Sequence, residues 1–185
     1  MTSTPLPRAD GRERTAHDDD FEKEKTTMVS KRWRMAVGSD DAGLDYKEMI
    51  LADLRADERV ESVVDLGVPV DDPESATYGE VGIRLAEMVA AGEIDRGVLI
   101  CGTGIGMAIS ANKVPGVRAT VAHDSFSVER SILSNNCQVL TLGQRVIGPE
   151  LARRLVSEWL GYEFDSSSPS NEKVSVITRY EKRAC

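Results

Sequence analysis

From about residue 35 onward, short apolar runs alternate with longer segments that are apolar on one face only. The short runs, rich in Val, Ile and Leu, predict strands over 34–38, 60–66, 96–101, 117–123 and 138–142. The longer segments carry the helical period. They predict helices over 44–56, with Leu44, Met49, Ile50, Leu51 and Leu54 inward, and over 78–92, with Val81, Leu85, Met88 and Val89 inward. A further helix follows over 108–113, and another over 126–133 with Ser125 as its cap. Pro149 opens a helix over 150–160, which buries Leu151, Leu155, Val156 and Trp159 and stops at Gly161. A Ser-rich loop over 165–170 leads to a last helix over 171–182.

Regular strand–helix alternation predicts an α/β domain with a parallel sheet covered on both faces. Residues 1–34 break the pattern. They are highly charged, with Asp18-Asp19-Asp20 and the run from Glu22 to Lys25, and show no sustained apolar period. They read as a disordered N-terminal extension, with the folded domain over 35–185. The whole chain has 185 residues, enough for one ordinary core. Its formal net charge of −8 speaks against a nucleic-acid-binding face and for small-molecule or protein partners. The three cysteines, Cys101, Cys137 and Cys185, lack zinc spacing and read as free thiols in a reducing compartment, so a cytoplasmic location is expected. No run has the length of a membrane span.

In a parallel sheet, ligands bind beyond the C-terminal strand ends. The chemistry-bearing residues gather there. Ser39-Asp40-Asp41 follows the first strand, Cys101-Gly102-Thr103-Gly104-Ile105-Gly106-Met107 the third, His123-Asp124 the fourth, and Arg145 stands just after the fifth. The third-strand segment reads as strand, glycine-rich turn, helix. It puts a thiol at a strand tip beside backbone N–H groups able to bind an anion. Read alone, this loop can do chemistry or simply hold a phosphate, and Cys101 can equally be a small buried apolar residue.

Several segments together are more specific. Cys101 to Gly106, Ala111-Asn112-Lys113, Gly116-Val117-Arg118-Ala119, Gly38-Ser39-Asp40-Asp41-Ala42-Gly43 and Gly143-Gln144-Arg145-Val146-Ile147-Gly148 occur in the order found in the type B ribose 5-phosphate isomerase and galactose 6-phosphate isomerase family, which the chain resembles over about residues 35–180. That resemblance implies a three-layer Rossmann-like sheet of flavodoxin-like order. It also implies a homodimer with active sites shared between subunits, dimers of dimers being left open. The implied reaction interconverts an aldose phosphate and a ketose phosphate through a cis-enediolate, with no cofactor or metal. By resemblance Cys101 is the base, Thr103 stands beside it, and the amides of Gly102, Gly104, Ile105 and Gly106 on to Met107 hold the enediolate. Asp40, Asp41, Tyr78, His123, Asn135 and Lys173 are expected around the substrate, as is Arg145, which the resemblance assigns to the partner subunit's site.

The departures from the family pattern bear on substrate. Members acting on ring-forming sugars carry histidines where this chain has Asp41 and Ser134. The glutamate that serves some members as base is Met107 here, which favours the thiol. His123 is the histidine left to stand in for the missing imidazoles. In place of a C-terminal Arg pair the chain has Lys173 and the Ser-rich loop. A four-carbon sugar 4-phosphate has no free oxygen with which to close a furanose, so its isomerase needs no ring-opening acid. The chain therefore looks like the branch that converts tetrulose 4-phosphates, such as D-erythrulose 4-phosphate to D-erythrose 4-phosphate. Three alternatives remain: a ribose 5-phosphate isomerase, a non-catalytic flavodoxin-like module binding a phosphate or flavin, and a catalytically dead subunit of an isomerase built of two different chains.

Overall fold

A computed structural model describes residues 31–69, 71–72 and 75–184. Strand β1 (Trp33–Ser39) runs into a 3-10 turn at Asp41–Gly43 and helix α1 (Leu44–Ala56); then come β2 (Val60–Asp65), α2 (Tyr78–Ala90), β3 (Arg96–Cys101) and α3 (Ile105–Ala111). The second half consists of β4 (Ala119–Val121), α4 (Ser125–Leu133), β5 (Val139–Gly143), α5 (Pro149–Leu160) and α6 (Ser170–Ala184). Strand β1 opens at Trp33, two residues inside the expected extension; residues 1–30 of that extension lie outside the described residues.

The strands form one parallel sheet in the order β2-β1-β3-β5-β4. The first three positions follow the flavodoxin-like order, and the outer two are exchanged relative to 2-1-3-4-5. Burial explains the exchange. All residues of β5 are buried, which suits an interior strand, whereas β4 is three residues long and half-buried, which suits an edge. Val121, expected in the core, is half-buried for that reason. Side chains alternate along the strands, so Val37, Ile100 and Leu142 pack with α1, α4 and α5, while Ala36, Leu99 and Val139 pack with α2 and α3.

Local chemistry shifts some boundaries. Helix α3 starts three residues earlier than its period predicts, because Gly104, with φ +80°, ends the preceding turn in a left-handed conformation and turns the next residues directly into the helix. Helix α4 begins at Ser125 itself and is capped by Asp124, whose carboxylate accepts from the Ser127 N–H at 2.8 Å. In α5 the buried stripe is Ala152, Leu155, Val156, Trp159 and Leu160. Leu151 falls at its flank and is exposed. Lys47, a polar residue within an apolar helix face, is 1% exposed. Its ammonium meets Asp65 at 2.8 Å and Glu48, and its stem packs against Gly67, where a Cβ would come within 2.9 Å. Among the described residues no helix is long and apolar enough to cross a membrane.

Candidate active site

Beyond the C-terminal ends of β1 and β3 lies a cleft of roughly 490 Å³. One wall is Asp40 and Ala42 of the turn after β1; the floor is Cys101 to Thr103; the other sides are Tyr78, Ile105, Gly106 and Ile109 of α2 and α3, and Arg145 after β5. Close backbone approach builds it. A Cβ on Gly43 would come within 2.4 Å of the Ile100 carbonyl oxygen, one on Gly143 within 2.7 Å of Thr103 Cα, and one on Gly106 within 2.7 Å of the Tyr78 ring. The glycines thus let the β1 turn, the β5 end and the Tyr78 ring all press against the thiol-bearing loop.

Cys101 is the last residue of β3 and is buried. Its Sγ accepts from the Gly104 N–H at 3.0 Å, which holds the sulfur against its own loop. Thr103 is exposed, and its Oγ1 accepts from the Ile105 N–H at 3.3 Å. Thr141, buried in β5, donates its hydroxyl to the Gly104 carbonyl at 2.9 Å and so pins the left-handed residue from below. The β5 turn is bonded to the same loop: Gln144 N–H donates to Cys101 O at 2.9 Å, and Arg145 N–H to Gly102 O at 3.0 Å. The Arg145 side chain lies over Gly102, where a Cβ would sit 3.4 Å from its Cδ and Nη1. Gln144 ties the turn to α1, accepting from the Tyr46 N–H and donating to Asp45, each at 3.1 Å.

Asp40 is 7% exposed and caps the 3-10 turn, accepting from the Ala42 N–H at 3.1 Å. Burial, with the neighbouring Asp41 charge, raises its carboxyl above the ordinary carboxylate range; the Ala42 N–H and Arg145 act in the opposite direction. The cleft therefore holds a thiol, a desolvated carboxylate, a guanidinium and an array of loop amides. That set can accept a proton from carbon and stabilise a developing oxyanion.

Of the residues singled out in the sequence, Asp40, Tyr78, Cys101, Gly102, Thr103, Ile105, Gly106 and Arg145 line this one cleft, and Gly104 lies buried in the loop beneath it. Arg145 stands over its own chain's Gly102, and the Gln144 and Arg145 N–H bonds to Cys101 O and Gly102 O hold its turn in place. Asp41 is exposed on the 3-10 turn and does not line the cleft. Asn135 is exposed, donates to Arg130 O at 3.0 Å, and borders a separate hollow with Arg118 and Tyr180. Lys173 is exposed on α6. His123 is turned to the backbone, its Nε2 accepting from the Gly143 N–H at 2.9 Å. Three contributors escaped the sequence reading. Ile109 follows Ile105 by one helical turn, a signal present in the sequence, whereas Thr141 and Gln144 act through pairings that only the folded sheet creates. Among the described residues no group of His, Cys, Asp or Glu is placed to hold a metal ion. Cys137 is buried away from the cleft, and burial pushes its thiol up to about 11.

The family described as Ribose/Galactose Isomerase matches residues 35–177. A D-erythrulose-4-phosphate isomerase 2 of Mycolicibacterium smegmatis is 58% identical over 149 residues, covering 80% of this chain and 97% of that one. A D-erythrulose-4-phosphate isomerase of Pectobacterium atrosepticum is 43% identical over 152 residues, covering 80% and 97%. Among solved structures, Clostridium thermocellum ribose-5-phosphate isomerase B superposes with a TM-score of 0.76 at 39% identity, covering 82% of this chain and 99% of that one. A thiol-bearing glycine loop on a parallel sheet, with the family match running over residues 35–177, makes this chain a member of the ribose/galactose isomerase family of sugar-phosphate isomerases.

Proposed function

We propose that the chain interconverts D-erythrulose 4-phosphate and D-erythrose 4-phosphate by proton transfer between C1 and C2. The observation that carries the reading is the Cys101 thiol, held at 3.0 Å by the Gly104 N–H in a cleft edged by loop amides and Arg145. As thiolate, Cys101 takes a proton from C1 of the ketose; the C1–H electron pair becomes the C1–C2 double bond and charge moves to O2. The amides of Gly106 and Met107 at the start of α3 and the Thr103 hydroxyl stabilise that enediolate, while those of Gly104 and Ile105 hold Cys101 Sγ and Thr103 Oγ1. Return of the proton to C2, with a proton shift from O1 to O2, completes the aldose. Asp40 orients a substrate hydroxyl, and Arg145 offers charge to the phosphate. Tyr78 lies against Gly106 and limits the length of the cleft.

The four-carbon assignment rests on Asp41 and Ser134, which stand where ring-opening histidines are expected, and is supported by the names of the two curated relatives. Nor is His123 free to replace those imidazoles while its Nε2 is engaged by Gly143. We further propose a homodimer in which Asn135 and Lys173, remote from their own chain's cleft, approach the partner's, and a reducing, cytoplasmic setting that keeps Cys101 reduced. The test is a side-by-side kinetic assay on D-erythrulose 4-phosphate and D-ribose 5-phosphate. A preference for the four-carbon substrate is expected. Equal or better kcat/KM on ribose 5-phosphate would overturn the substrate assignment and leave the isomerase reading intact.

A further inference from the structure

Strand β4 pairs with β5 through Ala119↔Val139, Thr120↔Leu140 and Val121↔Thr141, and stops there. Continued in the same register, the ladder would bring residue 123 opposite Gly143. At that step the acceptor for the Gly143 N–H is an imidazole: His123 Nε2 takes it at 2.9 Å. Gly143 is also the residue on which a Cβ would come within 2.7 Å of Thr103 Cα, and its carbonyl accepts from Val146 at 2.9 Å to close the β5 turn. The next two amides of the turn donate to Cys101 O and Gly102 O. One side chain at the sheet edge therefore holds the segment that both braces the thiol-bearing loop and carries Arg145 over it.

We infer that His123 is a positioning residue: as a neutral imidazole protonated on Nδ1, it anchors the β5 turn through Gly143 and thereby sets the Cys101 loop and Arg145. The inference deepens the isomerase reading given above and, for its effect on turnover, rests on it. An N–H donor on Gly143 requires Nε2 to carry a lone pair, which assigns the tautomer. Half-burial of the ring lowers its pKa from 6.5, with Asp124 the charged neighbour acting the other way, and so supports the neutral form. The role differs from that expected of His123 in the sequence, because the ring serves the protein backbone and not the substrate.

The test uses the full chain with 15N-labelled histidine at pH 8, and amide hydrogen exchange at Gly143, Gln144 and Arg145. We expect the Nδ1–H tautomer and slow exchange in the wild type. His123→Gln, which keeps an acceptor, should preserve slow exchange and hold kcat within about threefold, whereas His123→Leu should speed exchange and lower kcat about tenfold, the scale of one unsatisfied buried N–H. KM should change less than kcat. An Nε2–H tautomer, or the same exchange rates in wild type and His123→Leu, would overturn the anchoring. Equal loss of kcat in both variants would overturn the positioning role and point to proton transfer by the ring. Should His123→Leu fail to fold, the wild-type tautomer and the His123→Gln rates decide the matter. Tautomer and exchange need no substrate, so a wild type inactive on every sugar phosphate would sink the isomerase reading while these readouts still judge the anchor.

Discussion

The two ends of the sheet both bury charge, and they treat it in opposite ways. At the N-terminal end Arg96, the first residue of β3, is 5% exposed. Its guanidinium lies 3.7 Å from the centre of the Trp33 ring and 5.1 Å from that of Trp159, and donates to the carbonyls of Trp159, at 2.9 Å, and Tyr162. Beside it Arg34 makes a two-point contact with Asp95, at 2.9 and 3.2 Å. Burial pulls the Arg96 pKa down to about 10, yet the group stays charged and partnered. At the C-terminal end Asp40 is nearly as buried, but its chief partner is one backbone N–H, and its remaining capacity faces a cleft. One end closes its polar groups on themselves and contributes stability. The other leaves them short of partners, and that shortage is what a substrate can fill.

The contrast breaks most sharply at Cys101. Replacing it by Ser should lower kcat about 10²- to 10⁴-fold, the range of a lost general base, with melting temperature and phosphate binding nearly unchanged. Near-normal turnover would remove the thiol from the mechanism. At the closed end, Arg96→Met takes away the donor to the Tyr162 carbonyl and one of the donors to the Trp159 carbonyl, and leaves the Trp rings without their cation. It should cost about 2–4 kcal/mol and lower the melting temperature by about 5–10 °C, while kcat per folded molecule stays the same. Lost activity with unchanged stability would reverse the roles assigned to the two ends.

Asp40→Asn sharpens the comparison, because it should cost activity and gain stability. The folded pKa of Asp40 is raised by burial and by Asp41, so the native state holds the proton more tightly than the unfolded chain. Stability therefore falls as pH rises from 3.8 through the raised value, and the penalty remains at neutral pH. Asn still caps the turn and carries no charge, so the variant should melt higher than wild type at pH 7. That gain should vanish below pH 3.8, where both states of the wild type are protonated. Meanwhile KM should rise about tenfold, the worth of one charge-assisted hydrogen bond. A lower melting temperature at pH 7 would mean Asp40 contributes to the fold as Arg96 does. The smallest effect is expected from Thr141→Val, which keeps the shape but removes the bond to Gly104 O: about 1 kcal/mol of stability and a few-fold loss in kcat.

How legible the site was depended on whether a residue's job is local. The tip of β3 and its glycine loop could be read directly as strand, glycine turn and helix, since these follow one another along the chain, whereas the left-handed Gly104 and the earlier helix start came with the fold. Asp40 was legible as a strand-end carboxylate, and Tyr78 only through the family resemblance, since alone it reads as core. His123 was legible as a strand-end residue, but not in its task, which depends on where β4 stops against β5. Nothing along the chain marks Lys47 and Arg96 as buried cations, because their partners Asp65, Trp159 and Tyr162 come from distant segments.

The amino-acid sequence by itself determined the succession of strands and helices, the two apolar faces, the thiol-bearing loop and the family, because each is written in periodicity or in contiguous motifs. Only the tertiary structure decided the order β2-β1-β3-β5-β4. That order pairs Cys101 with Gly143, hangs the Arg145 turn on the carbonyls of the thiol-bearing loop, and gives His123 a backbone N–H to hold. The physical reason is that neighbouring strands are chosen by burial and hydrogen-bond satisfaction across the whole sheet, a competition among segments that no single segment encodes.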